Sequence, residues 1–316
     1  MWSQLSRFYF DAIRGYSDGY SPDHRWWDPQ VGGLNLYAAQ ELANSVAKQP
    51  LSSLPNGHII AWEDSVAHAS PQISHLEKAV RAGAEIPEDC RDLFDVRGEP
   101  GEQRVTLRDP GGFPSHLLHN NRKVAFRMPR RFTTDLMALD FTWPVGHWHY
   151  PPMTLLWYTR GQEVLTDQGY LGAMNKLTRE WIKSCPAHNC CIVRDAEGSH
   201  DISHLLRGDP TGLMADAEWV QVAEIAEQIP QNLAALGENG VYGRTVAMIG
   251  CGEEASYVWD VFRVRGAAEH EWYLHADGES LSVEGAELES VDPETTCADL
   301  WELPSSDDEI AWSHIN

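Results

Sequence analysis

Residues 145–172, "VGHWHYPPMTLLWYTRGQEVLTDQGYLG", place His147 and His149 one residue apart and end in a stretch carrying Asp167, and His188 follows in "PAHNCCIVRD". On an extended chain, residues i and i+2 share a face, so both imidazoles of the pair point the same way. Two neutral imidazoles on one face can bind one metal ion, or one can ligate while the other moves protons. Two ring nitrogens and a carboxylate oxygen make a zinc-type donor set with a fourth position left open. The chain has 14 histidines, so the competing reading is polar side chains satisfied by hydrogen bonds.

The elements needed to bring these residues together are strands. "MTLLWYTRG" and "EVLTDQG" read as a hairpin turning at "TRGQ", which returns Asp167 to the level of His149, and His188 opens the strand after it. From about residue 100 the texture is short β-type runs between Gly, Pro and Asp turns, among them "KVAFRM", "LMALDFTW", "GRTVAMIG", "SYVWDVFRVRG" and "HEWYLHA"; "HIIAW" precedes them. This pattern predicts a mainly β protein built on an antiparallel sandwich. Residues 34–49 carry Leu36, Ala39, Leu42, Ala43 and Val46 at helical spacing, and 74–94 predicts a helix broken by Gly83 and Pro87. "WVQVAEIAEQ" fits either period; its β-type neighbours favour a strand. The expected organisation is a short helical segment over 1–98, a β-sandwich over 99–290 and an acidic tail over 291–316.

A chain of 316 residues, 42% of them hydrophobic, can bury a sizeable core. The net charge of −23 excludes broad nucleic-acid binding, which needs a basic footprint. No Lys or Arg follows Arg265. Against that acidity, "RKVAFRMPRR" (122–131) holds five basic residues, with Arg127 and Arg130 as candidate cations for an anionic ligand; a solvated strand face is the alternative. Thirteen tryptophans suit either a saccharide groove or a sheet core. The six cysteines include no C-x-x-C pair, which favours reduced, buried thiols, with a bridge from Cys185 open to an exported protein. The first twenty residues lack a basic start and a long apolar run, so no signal peptide is expected there, and no 18-residue apolar run predicts a membrane span.

In order along the chain, Gly146, His147, His149, Leu155, Gly161, Leu165, Asp167 and Gly169, then His188–Asn189, then "YGRTVAMI" (242–249) and "YVWDVFRVRGAAEHEWYLHADG" (257–278), resemble the heparinase II/III-like polysaccharide lyases over about residues 100–280. The resemblance implies that His149, Asp167 and His188 hold a mainly structural zinc and that His147 faces substrate. Asn189 would help orient that loop. It implies β-elimination on an anionic, uronic-acid-containing poly- or oligosaccharide, and a periplasmic or secreted location. It also implies a helical toroid ahead of the sheet domain, of which "YSDGYSPDHRWWDP" (16–29) resembles the end, with Tyr20 as a candidate acid/base; a surface-loop tyrosine is the plain alternative. The sequence departs from the family here, offering only about 100 residues ahead of the sheets. A truncated or degenerate member, or a non-catalytic metal-containing carbohydrate-binding or structural β-domain, is therefore the standing alternative. A cupin-type oxygenase also uses H-x-H, but it needs a Glu where Met153 and Thr154 stand. His270 and His275 are expected to bond within the sheet, and His116, His119, His200 and His204 to lie in loops.

Overall fold

The computed structural model describes residues 36–61, 69–118, 122–142, 153–167, 181–195, 202–206, 208–215, 219–277, 282–285 and 287. His147, His149, Tyr20, His119, His200 and the 291–316 tail lie outside the described residues.

The first two α-helices among the described residues are α1 (Gln40–Val46) and α2 (Ile73–Arg81). Each buries one stripe, Leu42, Ala43 and Val46 on α1 and Leu76, Ala79 and Val80 on α2, at the i, i+3, i+4 positions that share a helix face. Helix α2 carries Lys78 and Arg81 in its last turn, favourable against the helix dipole, and ends before Gly83, whose φ of +98° suits only a residue without Cβ. The hairpin β1 (Phe94–Arg97) and β2 (Arg104–Leu107) packs with these helices through Phe94 and Val105. The predicted 34–49 and 74–94 helical stretches are thus found, the second breaking into α2 and a 3₁₀ turn at Glu88–Leu93. The described part of "HIIAW", residues 58–61, forms no strand, and Ile59 makes a single bridge to Ser53.

Five consecutive antiparallel strands follow, β3 (His116–Leu118), β4 (Lys123–Pro129), β5 (Thr134–Asp140), β6 (Thr154–Thr159) and β7 (Gln162–Leu165). After the short strand β8 (Cys191–Arg194), a second sheet forms from β9 (Asp209–Met214), β10 (Val220–Ala226), β11 (Val241–Cys251) and β12 (Ala255–Arg265), with the short helix α3 (Pro230–Ala234) between β10 and β11. The ambiguous "WVQVAEIAEQ" is strand β10. Finally β13 (Glu269–Trp272) pairs with β8.

The two sheets face each other across one core. Val124, Phe126 and Met128 of β4, Met137 and Leu139 of β5 and Leu155 of β6 pack against Ala223 and Ile225 of β10 and Val246 and Met248 of β11. Their alternate spacing is what a strand with one core-facing side requires. Each such large aliphatic or aromatic side chain removed from water contributes about 1.5–3 kcal/mol. The reverse face of the five-stranded sheet is also covered, by Leu54 and Ile60 against Leu136, Ala138, Leu156 and Tyr158. The result is the expected mainly β sandwich preceded by a short helical segment. Cys90, Cys185, Cys190, Cys191 and Cys251 are free thiols, so Cys185 forms no bridge among the described residues. No helix among the described residues is long and apolar enough to cross a membrane.

Candidate metal centre

Two of the predicted ligands come together. His188 Nδ1 lies 2.8 Å from Asp167 Oδ1, and His188 Nε2 donates to the Ile182 carbonyl at 2.8 Å. The His188 side chain is wholly buried and that of Asp167 is 6% exposed. The second contact fixes the meaning of the first. With the Nε2 proton committed to a carbonyl, a neutral ring turns its Nδ1 lone pair toward a carboxylate oxygen. Two acceptors at 2.8 Å must share a cation or a proton. An imidazole nitrogen, a carboxylate oxygen and a second ring nitrogen held by backbone are the donor types and outer hydrogen bond of a zinc-bound histidine. These two residues supply two donors of the type such an ion takes. Among the described residues no group of three or more His, Cys, Asp or Glu side chains converges; the third predicted ligand, His149, lies outside them. His188 is not the first residue of a strand: it follows the 3₁₀ turn Cys185–Ala187 and stands three residues before β8. A turn leaves its ring free of the sheet ladder and aimed at Asp167, two residues beyond β7.

What holds this loop is Asn189. Its side-chain amide donates to the carbonyls of Leu155 (2.8 Å) and Thr166 (2.7 Å), and its Oδ1 accepts the His275 N–H. One buried side chain thus ties the loop to the start of β6, the stretch leading to Asp167 and the segment after β13. His275 completes the corner by donating from Nε2 to the Pro186 carbonyl at 2.7 Å, and burial draws its ring below the ordinary histidine range, with Pro186 opposing. Thr166 N–H also donates to the His275 carbonyl at 3.1 Å.

Beneath Asn189 lies Arg244 of β11, with no exposed side-chain surface. Its Nη1 donates to the Met153 and Asn189 carbonyls, both at 2.6 Å, while Nε and Nη2 grip Asp260 of β12 at 2.9 and 2.7 Å. The guanidinium also sits 4.8 Å from the centre of the Phe262 ring. Met153 is where the chain leaves the His147–His149 stretch and enters β6, and it does so at φ 56°, a conformation that costs a non-glycine residue about 1–2 kcal/mol. The Arg244 bond to its carbonyl offsets that strain. At the other end of the stretch, Lys123 and Asp140 form a buried ion pair at 2.9 Å, and Asp140 Oδ1 caps the Thr142 N–H at 2.8 Å.

The candidate cations Arg127 and Arg130 need correction. Arg127 is 3% exposed, and its guanidinium donates to the carbonyls of Leu51 (2.8 Å), Ser53 (2.6 Å) and Pro114 (3.2 Å) and to His116 Nδ1 (3.1 Å). It clasps the 51–53 segment to the back of β4 and presents nothing to a ligand. Burial lowers its proton affinity to about 9, which leaves it a cation at neutral pH. Because that cation can only donate, His116 Nδ1 must accept, so its 3.3 Å approach to the Pro114 carbonyl is not a hydrogen bond. Arg130 has a side chain 3% exposed, lying over the Trp219 ring and 3.7 Å from Asp135. The basic run is neither an anion cradle nor a solvated face, since only Arg131 is well exposed, and it pairs with Glu254.

Sequence alone does not single out the Arg244–Asp260 pair. Its signal is two opposite charges on the core-facing register of adjacent strands, readable once Arg244↔Phe262 and Val246↔Asp260 are known to be opposite.

No family model and no curated protein matches the sequence. Among solved structures the fold is similar to a heparinase III, the BT4657 gene product, at 15% identity and a TM-score of 0.52, covering 88% of this chain and 40% of that one. Heparan sulfate lyase HepC from Pedobacter heparinus aligns at 17% identity and a TM-score of 0.45, over 69% of this chain and 31% of that one. The similarity to the heparinase III shows a heparinase-like fold, and the chain spans less than half the length of these structures.

Proposed function

We propose that this chain carries the metal-supported sheet half of a lyase that cleaves uronic-acid-containing, glycosaminoglycan-type polysaccharide by β-elimination. The carrying observation is the buried Asp167–His188 contact, whose committed Nε2–H leaves the facing pair to share a cation or a proton, and zinc is the cation this reading puts there. In this reading His149 joins them, and zinc supplies a fixed point that ties the loop to the hairpin. In the same reading His147, two residues before His149, is the group that faces the sugar. It neutralises the substrate carboxylate or removes the C5 proton. The electrons of the C5–H bond then form the C4–C5 double bond as the C4–O bond breaks, and a protein acid, for which Tyr20 is the candidate, protonates the departing oxygen. Asn189 and Arg244 act beneath, keeping the loop and the entry to β6 in register.

The test combines metal analysis with the ultraviolet absorbance of the conjugated unsaturated uronate formed on heparin, heparan sulfate or alginate. The purified chain should contain zinc, and its His149→Ala variant should lose zinc and melting temperature together, because metal binding is linked to folding. His147→Ala should keep the zinc and abolish any new absorbance. A chain that folds without zinc and leaves every uronan intact overturns this reading. Retained zinc and saccharide binding without cleavage would instead favour a non-catalytic carbohydrate-binding domain.

A further inference from the structure

At the opposite end of the β6–β7 hairpin from Asp167, the hairpin faces Ser256 at the start of β12. The gap between edge strands β7 and β12 is a pocket of about 330 Å³ lined by Trp157, Thr159, Arg160, Gln162, Val164 and Ser256. Gln162 and Asp167 are separated by roughly 16 Å along an extended chain, so this pocket is distinct from the metal centre.

The pocket floor has a defined polarity. Asp135, 1% exposed, sits behind it and accepts from Thr159 Oγ1 and from Ser256 Oγ, each at 2.6 Å. Both hydroxyl protons therefore point inward, and their lone pairs remain to accept hydrogen bonds from the pocket side. Trp157 forms a wall of the pocket. At the rim, Arg160 and Gly161 adopt φ of 52° and 86°, the positive pair of a tight hairpin turn, which projects the Arg160 side chain from the exposed tip. The Asp135 charge is already offset by Arg130 at 3.7 Å, which leaves Arg160 as the charged group lining the pocket.

We infer that this seam is a binding site for a single pyranose ring bearing a carboxylate, separate from the metal centre. Its hydroxyls donate to Thr159 and Ser256 and accept from Gln162. Its apolar face lies on the indole, and its carboxylate meets Arg160 in a charge-assisted contact. The volume is at the lower end for small-ligand pockets, as one ring requires. The site needs neither the zinc nor the elimination chemistry, so it stands or falls apart from them.

The experiment follows the indole N–H resonances of the full-length, ¹⁵N-labelled chain during titration with sodium D-glucuronate, D-glucose or sodium acetate. Trp157→Phe identifies the relevant peak by its loss. Arg160→Asn keeps the positive φ with a residue that tolerates it, and Gln162→Glu changes an exposed strand position, so both variants retain the fold. Glucuronate should shift the Trp157 resonance saturably. Glucose on the native chain, and glucuronate on either variant, should require at least about tenfold higher concentration, a loss of about 1.4 kcal/mol. A resonance that glucuronate does not move, or moves equally in both variants, overturns the site. An equal response to acetate reduces it to a plain anion contact, and an equal response to glucose removes the carboxylate from the proposal.

Discussion

The two sheets of the sandwich bury similar side chains on their facing sides and differ on the reverse. Every described residue of β5 is buried, because Leu54 and Ile60 cover Leu136 and Ala138 from behind. Strand β10 alternates instead, with Ala223 and Ile225 in the core and Val222 and Glu224 only half-buried on the other side. On β12 the contrast is sharper, since Tyr257 and Trp259 are 46% and 50% exposed. The difference governs what a charged residue can do. On the open face Arg263 pairs with Glu224 in water, an arrangement that contributes little. In the closed layers a charge has to find buried partners, so Arg127 and Arg244 became fasteners between segments.

The largest expected effect tests that contrast within one strand pair. Arg244→Leu should destabilise by about 3–5 kcal/mol, measured by urea unfolding, because Asp260 is left buried and unpaired and two backbone carbonyls lose their donor. Arg263→Leu, on the same sheet but facing solvent, should change stability by less than about 0.5 kcal/mol. Next is Leu136→Ala on the covered reverse face of β5. It should cost about 2–5 kcal/mol, since the cavity lies between Leu54, Ile60 and the sheet and cannot fill with solvent.

How much of this was readable from the residues follows the same divide. Period-2 alternation identified strands with one wet face, as in "SYVWDVFRVRG", which is β12. It misread the basic run as one chemical unit. In β4 both faces are dry, so Val124, Phe126 and Met128 look into the sandwich while Arg127 looks toward Leu51 and Ser53. Nothing local announces that a segment about seventy residues earlier supplies the carbonyls for that guanidinium. The Asp167–His188 contact was legible only through the motif order that resembles the heparinase II/III-like lyases, whereas the turn at Arg160–Gly161 is encoded where it occurs and sets only where the hairpin returns Asp167. Asn189 was visible only as part of a motif. Its work depends on backbone from Leu155, Thr166 and His275, three segments that no spacing rule brings together.

The clasp behind β4 also makes a smaller, pH-dependent prediction. Burial, and then the neighbouring Arg127 charge, push the His116 imidazole down to about 3 from 6.5. The unfolded chain therefore takes up this proton first as pH falls. The stability involved is fully present above pH 6.5 and is lost progressively toward pH 3, with a slope of at most about 1.4 kcal/mol per pH unit. His116→Gln should flatten that part of the stability–pH curve. An unchanged slope would mean that His116 does not accept from Arg127, and that the back of the five-stranded sheet is wetter than the front.

The smallest expected effect bears on the open face itself. Across the four-stranded sheet, Met214, Val222, Ala247 and Trp259 lie in one cross-strand row, and Val220, Ile249 and Tyr257 in the next. These are apolar side chains on a face that nothing described covers, so truncating one removes only a cross-strand contact. Trp259→Thr keeps the β-branched preference of the strand and should cost less than about 1 kcal/mol, well below Leu136→Ala. A cost equal to that of Leu136→Ala would show that the face is closed in solution after all. Repeating the measurement at several protein concentrations then separates the ways of closing it. A penalty that grows with concentration means a second copy lies on the row, because association stabilises by mass action. A constant penalty means the cover belongs to the same chain.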